Sequence, residues 1–233
     1  MAGLTLTIED LQVYSYCPQY FKHYISLDKD VRDFNRTSYI ESIYTWMFSY
    51  YLKTGSMPSY KELDKIWLQE QEVLSLLPEE FLNFSLIKLR SFLTTELPLY
   101  NPIVTNLPIQ YKYKNVSITG ILPVLVEDKD SISLLFFKPN ALNSYKNDLH
   151  IRYIIHMLEK EFSNKFTFSN AYIYNINHGK DNVIKHSLNK NKLSSDTFFI
   201  QLNGLIDSIL SSSYIPLYNC SNTSCIFRTK CFL

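Results

Sequence analysis

The chain has 233 residues, and 23 Lys and Arg stand against 22 Asp and Glu, for a net charge of +1. Hydrophobic residues at 46% and aromatics at 15% exclude a disordered chain, and the near-neutral charge excludes a protein that wraps nucleic acid with its whole surface. No apolar run of about 18 residues is present to span a bilayer and the first residues lack a leader pattern, so a cytoplasmic protein without membrane contact is expected.

Taken in order, residues 8–25 carry Leu11, Tyr14, Cys17, Phe21 and Tyr24 at steps of three and four, which marks one helical face. Pro18 interrupts that face. A helix is expected to end near Tyr16 and another to start with Pro18 in its first turn, leaving Cys17 at a bend. Residues 37–53 predict a strongly apolar helix stopped by Gly55, whose aromatic stripe of Tyr39, Trp46, Phe48 and Tyr50 reads as core before it reads as a base-stacking platform. Ser59 followed by Glu62 is a capping-box signature for the next helix, and residues 78–97 give a third between Pro78 and Pro98.

Beyond the prolines at 98, 102 and 108 the pattern changes. Residues 109–126 read as a hairpin turning at Lys114-Asn115, and residues 132–138 (ISLLFFK) as a further, buried strand. Helical spacing returns over 149–162, strand alternation over 170–177, and a last helix over 197–212. The order predicts one α/β domain over 1–233: a helical part at 1–100, a sheet core at 101–180, and a C-terminal helix with a cysteine tail at 181–233.

Four cysteines are present, Cys17 near one end and Cys220, Cys225 and Cys231 at the other. In a reducing compartment such thiols read as ligands more readily than as disulfides. Four thiolates suit a 4Fe-4S cluster that clasps the two ends. Zinc also takes four thiolates, although Cys17 has no cysteine neighbour in the usual short spacing, and four separate buried thiols are the plainest alternative. The histidines at 150, 156, 178 and 186 show no metal spacing with an acid.

Several segments stand in a characteristic order along nearly the whole chain. They are the Cys-Pro-x-x-Phe of Cys17 to Phe21, the helix followed by PSYKEL, the strand with Gly120, the FFK strand, the helix with Tyr153, and the terminal cysteine triplet. In that order they resemble a RecB-like nuclease of the PD-(D/E)XK superfamily, in the iron-sulfur branch that includes AddB-type helicase-nuclease subunits and the exonucleases of CRISPR adaptation. The resemblance implies a restriction-endonuclease-like core, a mixed central sheet flanked by helices, with an N-terminal helical part and an iron-sulfur clasp at Cys17, Cys220, Cys225 and Cys231. It also implies a DNA exonuclease whose divalent metal is held by carboxylates and activates water.

Here the pattern departs from the family. The first acid would fall at Pro123, the second at Phe136, the helical histidine at about Ile40 and a glutamine at Leu149; Lys138 alone is retained. Lys138 could equally be a lysine snorkelling from an apolar strand. Glu127, Asp128 and Asp130 lie past the strand end, Glu127 about 13 Å along from Pro123 at the usual strand rise. Glu41 points about 100° away from Ile40 on an ideal helix. A degenerate site without catalytic Mg²⁺ is therefore expected, a pseudonuclease rather than an enzyme.

Two functions follow from these readings. One is a DNA-binding or scaffolding subunit of a DNA-processing complex, for which Lys112, Lys114, Lys185, Lys190, Lys192, Arg228 and Lys230 are candidate basic contacts. The other is an interaction subunit of a viral or mobile-element assembly, in the host cytoplasm, with a protein partner and no DNA contact. An active exonuclease with displaced ligands is the remaining alternative. A redox enzyme is disfavoured, since no glycine-rich nucleotide loop is present.

Overall fold

The longest regular feature is a hairpin of two thirteen-residue strands, around which the other elements are placed. The computed structural model describes residues 4–26, 36–69, 78–128, 131–138, 148–162, 165–176, 183–188 and 195–212. The strands are β1 (Leu4–Thr7), β2 (Asn101–Tyr113), β3 (Val116–Asp128), β4 (Ser131–Lys138), β5 (Phe168–Asn175) and β6 (Val183–Ser187). The helices are α1 (Ile8–Tyr16), α2 (Pro18–Tyr24), α3 (Arg36–Thr54), α4 (Tyr60–Gln69), α5 (Glu79–Thr95), α6 (Leu149–Phe162) and α7 (Ser195–Leu210), with a 3₁₀ turn at Leu97–Leu99. The result is an α/β fold with one mixed six-stranded sheet.

The sheet forks at β3. β2 runs antiparallel along one edge of β3, from Asn101 opposite Glu127 to Tyr113 opposite Val116. β1 and β4 share the other edge: β1 lies parallel to Val116–Thr119, and β4 antiparallel to Val124–Asp128. Between Thr119 and Val124 neither of them pairs with β3. Beyond β4 follow β5, parallel, and β6, antiparallel.

Each face of the sheet carries its own helices. On one side α1, α2, α6 and α7 pack over Leu6, Ile118, Leu122, Leu134, Phe136 and Ile173. On the other, α3, α4 and α5 pack over Val124, Val126, Leu135 and Phe137. β4 obeys strict alternation, with Ile132, Leu134 and Phe136 on the first side and Leu135 and Phe137 on the second. β3 does not: Ile118 and Leu122 face the first side, yet Val124 and Val126 face the second. The pleat changes face at Pro123. Its rung partner in β2 is Asn106, between the pairs Thr105–Val124 and Leu107–Leu122, and Asn106 takes the left-handed backbone at φ 52°. Proline offers no ladder donor and asparagine tolerates positive φ, so the two residues together absorb the change.

Local signals placed most elements. Cys17 stands between α1 and α2 as expected, extended at φ −157° and ψ 102°, ending one helix and capping the next. The Ser59–Glu62 capping box is formed: the Ser59 N–H donates to Glu62 Oε2 at 2.7 Å and the Glu62 N–H to Ser59 Oγ at 3.3 Å. Pro78 caps α5. A second capping box, Thr7 with Asp10, starts α1.

The departures are in the strands. β1 puts a strand within the stretch expected to be helical, and β6 was not anticipated; strands this short carry too little alternation to stand out, and β1 gains its pairing from residues more than a hundred positions away. The hairpin begins at Asn101 rather than Ile109. Pro102 and Pro108 lie inside β2, where they are tolerated because β2 is an edge strand paired only with β3.

Candidate functional site

The gap between β1 and β4 on the edge of β3 is lined by charged side chains from several elements. Lys138 ends β4, and its ammonium stands 3.4 Å from Nδ1 of His150 and 3.9 Å from Oδ2 of Asp148. Asp148 is 5% exposed, and its other oxygen caps α6 by accepting the Ile151 N–H at 2.9 Å. His150, one residue into α6, places Nε2 3.1 Å from the carbonyl oxygen of Ile121, inside the unpaired stretch of β3. A carbonyl only accepts, so Nε2 carries the proton and Nδ1 presents its lone pair to Lys138. Glu9, in the first turn of α1, brings Oε1 to 3.3 Å from the same Nδ1.

Glu41 of α3, from the opposite layer, feels the charges of Lys138, Asp148 and Glu9. Burial pushes its carboxyl up to about 7 against the attraction of Lys138, while Asp148 and Glu9 raise it further. Among the described residues nothing hydrogen-bonds its carboxylate. Burial, then the Lys138 charge, hold His150 below the usual imidazole range, so the ring is neutral at pH 7. The cluster thus sets three carboxyl groups and one imidazole around a single lysine. Three of Asp, Glu, His and Cys do not converge closely enough anywhere among the described residues to hold a metal ion as they stand.

Of the expected site positions, Lys138 alone faces this cluster. Ile40 is 1% exposed and packs with the α3–α5 layer, so the residue that α3 presents to the site is its neighbour Glu41. Phe136, 1% exposed, lies in the core under α1 and α6, and Leu149 packs against that core. Pro123 is half-buried at the rung where the pleat changes face. None of these offers an oxygen or nitrogen ligand, so the residues present do not fit the catalytic metal that the resemblance implies.

Tyr153 is built into the core beside the fork. Its hydroxyl donates to the Ile118 carbonyl at 3.0 Å, and its ring lies so close over Gly120 that a Cβ there would come within 2.8 Å of it.

The other candidates are dispersed. Glu127 accepts from Asn101 Nδ2 at 2.5 Å, and Asp128 accepts from Ser133 Oγ at 3.0 Å, both at the far end of β3. Lys114 is paired with Asp207 at 2.6 Å, Lys185 lies over the Tyr172 ring, and Lys112 is exposed. His156 is buried against Phe198 with Glu159 3.3 Å away. Phe48 is fully buried among aromatic rings, and the Tyr50 hydroxyl donates to Glu62, so that stripe is core. Cys17 is half-buried and its sulfur accepts the Tyr20 N–H at 3.4 Å. Cys220, Cys225, Cys231, Asp130, His178, Lys190, Lys192, Arg228 and Lys230 lie outside the described residues, as does the side chain of His186.

Sequence reasoning missed Glu9 and Asp148 and set His150 aside. Asp148 had a readable signal, an acidic residue immediately before a helical run. Glu9 and His150 had none, because each becomes informative only when β1 and α6 are placed beside the same gap. Comparison with protein-family models and with curated proteins gives no match. Among the described residues no helix is long and apolar enough to cross a membrane.

Proposed function

We propose that the chain is a RecB-like PD-(D/E)XK nuclease fold that has lost its catalytic metal site and serves as a DNA-binding or scaffolding subunit of a DNA-processing complex. The observation that carries this reading is the fork in β3. Pro123 and Phe136 bring no oxygen or nitrogen ligand there, and the ammonium of Lys138 stands beside Asp148 and His150. Purified protein is therefore expected to leave labelled single- and double-stranded linear DNA intact with Mg²⁺ or Mn²⁺. Degradation that disappears in Lys138→Ala would sink the proposal and point to Glu41 as a displaced ligand.

The excess of carboxylate charge at the fork favours a second reading, an interaction subunit without DNA contact, because such a cluster repels phosphate. Binding of duplex DNA measured against salt separates the two: a steep loss of affinity supports the DNA-binding subunit, and no binding at low salt supports the scaffold. The same reading assigns Cys17, Cys220, Cys225 and Cys231 to one 4Fe-4S cluster, and the position of Cys17 at a helix break, half-buried, is compatible with a ligand. Protein prepared anaerobically is then brown with iron and sulfide. One zinc and no iron excludes the cluster.

A further inference from the structure

A groove runs beside α7, where that helix meets α1 and α6. Leu149, Leu202 and Leu205 give it an apolar lining, and its volume of about 420 Å³ is room for several side chains rather than a few waters. One wall is fixed in place: Arg152 lies over the Phe198 ring at 5.0 Å, and its guanidinium donates to Gln201 Oε1 at 2.9 Å. Gly204 leaves the α7 side open, since among the described residues no atom lies within 4 Å of where a Cβ there would stand. Ser208 lines the groove from the last turn of α7, and Ser15 lines it from α1, two residues before Cys17.

The chain that follows α7 suits this groove. α7 stops at Leu210, and Ser212 takes the left-handed backbone at φ 55°, the conformation that turns a chain off the end of a helix. Next come Tyr214, Ile215, Pro216, Leu217 and Tyr218, an uncharged apolar run whose proline favours an extended backbone. Such side chains gain by leaving water. The reach is sufficient. Phe198 to Ser208 measures about 15 Å along α7 at the helical rise, and the extended chain from Ser212 to Cys220 spans up to about 26 Å.

We infer that residues 214–218 dock in this groove as an apolar strap laid back along α7, covering Leu202 and Leu205 and delivering Cys220 to the bend at Cys17. The occupant is the chain's own tail because the tail begins where the groove's helix ends and brings apolar side chains to an apolar lining. Burial of those side chains supplies the docking, so it stands with or without an iron-sulfur cluster.

The test is limited chymotrypsin digestion of the full-length chain carrying Cys220→Ser, Cys225→Ser and Cys231→Ser, so that no metal can hold the tail. Mass spectrometry reads the rate of cleavage after Tyr214 and Tyr218, each relative to the same peptide free in solution. Gly204→Trp fills the groove from its open side and Leu217→Asp spoils the strap. Each is expected to speed cleavage at least about tenfold, and the two together no more than either alone. Ser208→Trp replaces Gly204→Trp if circular dichroism shows the latter unfolded. The inference is overturned if the parent is cleaved as fast as Leu217→Asp, if filling the groove leaves the rate unchanged, or if the two effects multiply. It is also overturned if filling the groove exposes residues 27–35 or 139–147 to the protease in place of the tail, which makes that segment the occupant. Failure of the cluster reading shows separately, in the iron content of the wild-type protein.

Discussion

At the scale of single residues, Glu41 and Gly120 carry the sharpest consequences. The carboxyl of Glu41 is raised from 4.5 to about 7 in the folded chain, so its ionised form is the one that folding disfavours. Its contribution is harmless below pH 4.5, and stability is lost as pH rises through about 7. Glu41→Gln should therefore be more stable than wild type at pH 8, by about 1–3 kcal/mol, with the difference vanishing near pH 4.5; urea unfolding at the two pH values measures it. Gly120→Ala should act in the opposite direction. The new methyl meets the Tyr153 ring at 2.8 Å, and that ring is pinned by its hydroxyl on Ile118, so about 1–3 kcal/mol of overpacking is expected in the same assay. An equal stability of Gly120→Ala and wild type would show that the ring can move aside.

At the scale of elements, the rung of Asn106 and Pro123 decides how β2 and β3 present their side chains. Before it Leu107 and Leu122 face α6, and after it Val124 faces α3, so one hairpin serves both layers of helices. At this change of face Pro123 forgoes a ladder donor and Asn106 accepts positive φ. Asn106→Val places a β-branched side chain at φ 52°, and a loss of about 1–2 kcal/mol is expected, while Asn106→Gly should be neutral or slightly stabilising. Thermal melts of the pair check this, and a tolerated valine would mean the rung has relaxed into regular pairing. Pro123 does not disrupt the sheet because it lies between Thr119 and Val124, where neither β1 nor β4 pairs with β3 and β2 alone runs alongside.

At the scale of the whole molecule, the proposed clasp is the clearest test of how the chain ends are held. Cys17 sits where α1 gives way to α2, and α1 packs against the core shared with α6 and α7. If Cys17 ligates a cluster with the distant cysteines, Cys17→Ser should lower the melting temperature of the cluster-loaded protein by several degrees, since ligand binding free energy becomes folding free energy. An unchanged melting temperature counts against the clasp.

Sequence alone determined the elements whose information is local. The helix starts at Ser59 and Pro78, the bend at Cys17, the turn at Lys114-Asn115 and the apolar run of β4 are each written within a few residues, and short-range sterics and hydrogen bonds enforce them. Tertiary structure decided what lies across the chain. The pairing of Leu4 with Val116 and the face change at Pro123 depend on contacts that no short window contains. So does the meeting of Glu9, Glu41, Lys138, Asp148 and His150 at one gap. A side chain's neighbours, and hence its charge state and use, are set by how distant elements pack, whereas its own backbone conformation is set mostly by the residues beside it.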